Sequence, residues 1–162
     1  MKKIIIFFLI LFSFYVAVSI YFLDKDPFLC PIEYAKDILI RSDAYGKGIF
    51  AANRRGSRLH NGIDLLAEIG TTVLASRSGI VIAAGGNPGM GNYVILRHPG
   101  DITTIYGHLS AIYVKKGGFV HQGQVIARVG KTGNANTRGI LSHLHFEVRK
   151  SGTPQNPLEY LP

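Results

Sequence analysis

Two rules of hydrophobic spacing divide the chain. Residues 4–23, IIIFFLILFSFYVAVSIYFL, carry no charge and show no polar face, which predicts a helix apolar on its whole circumference. Twenty residues at about 1.5 Å each span about 30 Å, the thickness of a bilayer's hydrocarbon core. Lys2 and Lys3 precede the run, and Asp24, Lys25 and Asp26 follow it. The positive-inside rule therefore leaves residues 1–3 in the cytoplasm and exports everything after residue 26. A cleaved signal segment is the alternative, since Ala17-Val18-Ser19 offers the small residues a signal peptidase accepts. The run continues past that point to Leu23, longer than an ordinary cleavable core, which favours an uncleaved anchor.

Residues 24–45 have mixed polarity and two prolines. They read as a tether with one short helical candidate at 32–40. From Gly46 short apolar runs at 79–84, 92–97 and 102–108 alternate with turn signals, Gly85-Gly86-Asn87-Pro88-Gly89 and His98-Pro99-Gly100-Asp101. That spacing predicts a mainly β domain of antiparallel hairpins over 46–162. The stretch 104–114, TIYGHLSAIYV, is the one helical competitor, and Gly107 with its β-branched neighbours argues for strand. In 141–150, LSHLHFEVRK, strand alternation puts His143, His145 and Glu147 on one face and Leu144, Phe146 and Val148 on the other.

Composition agrees with this picture. Nineteen glycines and seven prolines in 162 residues, with 17% charged side chains, suit many tight turns between short strands. The net charge of +8 points toward a polyanionic partner. Without a basic run, a helix-turn-helix pattern or an RNA-binding aromatic signature, nucleic acid is not expected as that partner. Cys30 is the only cysteine, so no intramolecular disulfide can form. Pro27-Phe28-Leu29 before it lacks the small residue of a lipid-attachment site.

Candidate chemistry rests on six histidines. His60 and Asp64 bracket HNGID, where Asn61-Gly62 signals a turn that can bring an imidazole and a carboxylate together. His108 ends a β-like run in YGHLS. His143 and His145 converge on one side of their strand, as metal ligands or as a ligand and a base. His98 and His121 flank turns and read as loop residues without a partner. Glu147 shares the histidines' face and could support a ligand imidazole, though a solvent-facing role is the plainer expectation.

Taken in order, HNGID, YGHLS and HLHFEV resemble the lysostaphin-type zinc metallopeptidases, with their HxxxD motif and downstream HxH motif. GIDLLAEIGTTVLASRSGIV and VKKGGFVHQGQVIARVGKTG are similar to the family's intervening text, so the resemblance covers residues 46–150. It implies a compact antiparallel-sheet domain with a zinc groove, preceded here by the N-terminal transmembrane helix. It also implies one Zn2+ on His60, Asp64 and His145. His143 would be the general base and His108 the stabiliser of the oxyanion. The implied activity is hydrolysis of peptide bonds in bacterial peptidoglycan crossbridges or stems, by a domain on the outer side of the membrane or secreted. Cell-wall or division proteins are further candidate partners. A degenerate relative that activates wall amidases is the alternative, against which all five residues are present. A lipoyl-like carrier, suggested by the texture of 114–130, lacks a modifiable lysine in the usual turn. One departure stands out: NANTRGILS replaces the family's short S-T-G-P link before the HxH, leaving the bond selected open.

Overall fold

The computed structural model describes residues 2–21, 28–54 and 58–162. Residues 2–21 form helix α1, Lys2–Tyr21, and the side chains from Ile4 to Val16 are exposed. Among the described residues no helix is long and apolar enough to cross a membrane. The expected span over 4–23 lies partly outside the described residues, as do its flanks Asp24, Lys25 and Asp26.

The rest is mainly β, as its spacing predicts. Two small hairpins come first, β1 (Ser42–Asp43) with β2 (Gly46–Lys47), and β3 (Asn53–Arg54) with β4 (Arg58–Leu59). Nine strands then build one antiparallel sheet: β5 (Ile63–Leu66), β6 (Thr72–Leu74), β7 (Gly79–Asn87), β8 (Gly91–His98), β9 (Ile102–Ile112), β10 (Phe119–Val120), β11 (Val125–Val129), β12 (His143–Lys150) and β13 (Thr153–Gln155). The sequence 104–114 is strand over most of its length, and residues 104–109 are all buried, with Tyr106 and Leu109 in the core.

The sheet forks. β9 pairs with β12 from Ile102 to Gly107 and with β11 from Leu109 to Ile112. His108 sits between the two partners. The other edge of β12 pairs with β5, setting His145 opposite Asp64. Leu144, Phe146 and Val148 are fully buried beneath, with Ile63, Leu65, Leu96 and Tyr106. The Phe146 and Tyr106 rings lie 5.4 Å apart.

Three expectations need correction. The segment 28–45 is no free tether: Phe28 and Ile32 are buried in the core, and the Leu74 N–H donates to Pro31 O at 2.9 Å. Nor is 32–40 helical. The Arg41 N–H donates to Asp64 O, the Leu66 N–H donates to Leu39 O, each at 2.8 Å, and Ile40 bridges Leu65. The open edge of β5 takes the backbone groups that a helix would need. Finally, His98 ends β8, buried, with Nδ1 2.9 Å from Ser78 O and Nε2 2.7 Å from Thr104 Oγ1, and the His121 ring meets Phe119 edge to face.

Because Ile32 is 2% exposed in that core, Ile32→Ala should lower unfolding stability by about 2–5 kcal/mol in denaturant titration. A change below about 0.5 kcal/mol, typical of a surface site, would return the segment to the status of a tether.

Candidate metal centre

His60, Asp64, His108, His143 and His145 all line one open groove of about 660 Å³. Three of them form a tight cluster. His60 Nε2 is 3.1 Å from Asp64 Oδ1, His145 Nδ1 is 3.0 Å from the same oxygen, and the two ring nitrogens are 3.1 Å apart. Four ligands held tetrahedrally by Zn2+ at about 2.0–2.1 Å would sit about 3.3 Å from one another. The spacing fits such an ion, and the donor set of two imidazoles and a carboxylate suits zinc chemically.

Local sequence explains the convergence. Asn61-Gly62 turns the chain over β12, and a Cβ at residue 62 would press into the Phe146 carbonyl and lie 2.8 Å from Glu147 Cγ. Only glycine lets His60 and the start of β5 approach β12 so closely. His145 and Asp64 then face each other across the β12–β5 ladder.

The remaining atoms of each group are committed elsewhere. His60 Nδ1 lies 2.9 Å from Ile49 O and His145 Nε2 2.9 Å from Glu147 Oε1. A proton donated there leaves His60 Nε2 and His145 Nδ1 as lone pairs for a metal. Asp64 Oδ2 receives Arg41 at 3.0 Å and Arg54 at 2.6 Å. Burial works against the Asp64 charge, but hydrogen bonds from His145 and His60 outweigh it and hold the carboxyl well below the usual range.

His108 and His143 stand beside the cluster, their ring centroids 4.9 Å apart. Each offers Nδ1 to a carbonyl, Thr132 O at 3.0 Å and Leu141 O at 2.7 Å, so the Nε2 atoms are the free ends. His143 Nε2 is 3.8 Å from Asp64 Oδ1. Burial lowers both pKa values; the charges of His143 and His145 press His108 further, to about 3. His108 also occupies a left-handed backbone conformation, φ 62°. The pairing of β8 with β9 shifts there, with Asn92 opposite Leu109 and Val94 opposite Tyr106. Such a bulge re-aims a side chain at the cost of local strain, about 1–3 kcal/mol for a residue other than glycine.

All five residues singled out in the sequence thus meet in one groove. Glu147, expected to face solvent, is buried at 4% exposure, bound to His145 and held from its other oxygen by Arg149 at 2.6 Å. Arg41 and Arg54 were not foreseen. The HxHxE alternation signalled Glu147, whereas nothing local marks the two arginines.

Comparisons with known proteins agree with the geometry. The sequence model of Peptidase family M23 matches residues 58–157. The chain is 42% identical over 116 residues to the Lipoprotein NlpD/LppB homolog of Pseudomonas aeruginosa, covering 71% of this chain and 36% of that protein. It is 45% identical over 101 residues to the DD-carboxypeptidase/endopeptidase Mpg of Neisseria meningitidis, covering 62% and 22%. With the Murein hydrolase activator NlpD of Escherichia coli the figures are 38% over 114 residues, 70% and 28%. The chain therefore spans little more than a third, or less, of these relatives' lengths. Among solved structures, a zinc containing peptidase from Vibrio cholerae superposes with a TM-score of 0.69 at 33% identity, over 85% of this chain and 41% of that one. The catalytic domain of lysostaphin from Staphylococcus simulans gives 0.59 at 33%, over 74% and 91%.

Two outcomes follow for metal binding. Glu147→Ala should weaken zinc affinity about 10- to 100-fold in competition with a chromogenic chelator. The second is a pH dependence. Burial disfavours charge on His145, but hydrogen bonds to Asp64 and Glu147 override it and raise its pKa to about 9 in the metal-free protein. A metal at Nδ1 must displace that proton. Affinity should therefore rise about tenfold per pH unit from about 7 and flatten above about 9; a flat profile in that window would contradict the protonated state.

Proposed function

The chain belongs to peptidase family M23, and from that premise we propose that it is a zinc-dependent endopeptidase acting on peptide bonds of bacterial peptidoglycan. One Zn2+ would be held by His60, Asp64 and His145, with His143 and His108 beside the reacting groups. The observation that carries this reading is the convergence of three donor atoms at 3.0–3.1 Å, each on a group whose other polar atom is already committed. When bound, the ion would lower the pKa of a water and polarise the scissile carbonyl.

The protein's own part is proton handling and placement. His143 receives a proton at Nε2 and passes it to the leaving amine, while its Nδ1–H stays on Leu141 O. Asp64 supports that role, since after burial its charge acts most strongly on His143 and raises its proton affinity. His108 takes the oxyanion side as an uncharged imidazole, its Nδ1–H on Thr132 O and its Nε2 toward the groove. The open groove admits an extended peptide, and the chain's positive charge, +7 beyond residue 26 with 15 Lys and Arg against 8 Asp and Glu, suits an anionic wall. The uncharged run 4–23 supports an anchor in the inner membrane, with the domain outside it.

Likeness to a murein hydrolase activator supports a second reading, a wall-bound activator of other hydrolases. The complete donor set favours hydrolysis, because an activator has no use for three convergent ligands.

Full-length chain in detergent, incubated with purified murein sacculi, should release fragments with new peptide termini by mass spectrometry. A chelator should abolish release and added zinc restore it. His145→Ala should lose both zinc and release, whereas His143→Ala should keep zinc and slow release about 10²- to 10⁴-fold. Fragments that persist in His145→Ala would refute the zinc assignment, and bound zinc without fragments would favour the activator.

A further inference from the structure

One carboxylate beside the groove is left unused above. Asp43, on the β1–β2 hairpin, has a side chain only 7% exposed, and its Oδ2 lies 2.6 Å from Arg41 Nη1. The same oxygen accepts the Leu141 N–H at 3.1 Å, while Oδ1 accepts the Tyr45 N–H at 2.8 Å. Leu141 belongs to the long 134–142 loop, which Tyr45 also grips through its hydroxyl, donating to Arg138 O at 2.9 Å.

Both ends of this link reach the centre. Arg41 holds Asp64 Oδ2 from one side. Leu141 O accepts from His143 Nδ1 at 2.7 Å on the other. The Leu141 N–H and the Leu141 O belong to successive peptide units that share the Leu141 Cα. Once the N–H is anchored, only rotation about that residue's φ and ψ can carry the carbonyl away from His143 Nδ1 and release the tautomer it holds. We propose that Asp43 is a positioning residue: it clamps the 134–142 loop against Arg41 so that Leu141 O holds His143 with Nε2 turned to the groove. The proposal rests on the hydrolase reading for its kinetic consequence, though not for its structural one.

The test uses zinc-loaded full-length chain with ¹⁵N-labelled imidazoles, and soluble cross-linked muropeptide as substrate. In wild type, His143 should show the Nδ1–H tautomer by long-range ¹H–¹⁵N correlation. Asp43→Ala should lose that single tautomer and lower kcat about 10- to 100-fold with KM within about twofold, while zinc stays at one per chain. Asp43→Asn keeps one accepting oxygen, which can serve the Leu141 N–H but not the Tyr45 N–H as well, and should restore both signals in part. Should the alanine variant not fold, Asp43→Ser carries the same comparison. An unchanged His143 tautomer and kcat in Asp43→Ala, or an Asp43→Asn variant equally impaired, would overturn the proposal. A wild type without turnover whose His143 tautomer is still lost in Asp43→Ala would uphold the positioning role and remove the hydrolase reading alone.

Discussion

Keeping Asp64 ionised inside the protein is the constraint around which the groove is arranged. An isolated buried carboxylate costs several kcal/mol in lost hydration, so it must be surrounded by donors. Here the two oxygens divide the work: Oδ2 faces the guanidinium groups of Arg41 and Arg54, and Oδ1 faces the imidazoles of His60 and His145. The arginines supply permanent positive charge, so the carboxylate does not depend on the imidazoles alone to offset its charge. Segment 28–45 is packed into the fold for the same reason. Arg41 can serve Asp64 only while its backbone is fixed to β5 through Asp64 O.

The strands place the histidines, and the loops decide which nitrogen each presents. Sheet register alone sets His145 opposite Asp64 and Gly107. It says nothing of tautomers. Those depend on oxygens from outside the two strands that carry the HxxxD and HxH motifs: Ile49, Thr132 and Leu141 for three of the rings. Glu147, for His145, is the exception, and the only one a two-residue alternation could have foretold. A change in a connecting loop can thus alter chemistry at the centre without touching any ligand.

This division explains what could be read in advance. Strand content, the convergence of His143 and His145, and the HNGID turn are local properties of spacing, and they appear in the structure where the spacing puts them. Arg41 and Arg54 could not be found that way, nor could the bond from Asp43 to Leu141, because those partners are distant in sequence and charged residues in a mixed-polarity stretch look like surface. The failed helix at 32–40 has the same origin. Its local pattern allowed a helix, but an unpaired strand edge offered its backbone better partners. His98 looked like a turn residue because Pro99-Gly100 follows it, yet its buried bonds to Ser78 and Thr104 belong to the core of β8.

The fork in the sheet gives the groove its shape. Along β9 the neighbour changes from β12 to β11 within two residues, and strands that separate on one side of a common partner leave a wedge between them. His108 projects from the point of separation, and its left-handed backbone is the conformation that lets a strand residue turn into that wedge instead of into the core. Relaxing the strain would return the imidazole to the sheet's ordinary alternation and empty one side of the groove. The strained backbone is held in place by the Met90 carbonyl, which accepts the His108 N–H at 2.7 Å, and by Thr132. Glycine would meet the backbone requirement more cheaply, so the histidine here is carried at a conformational cost that its bonds to Met90 and Thr132 offset.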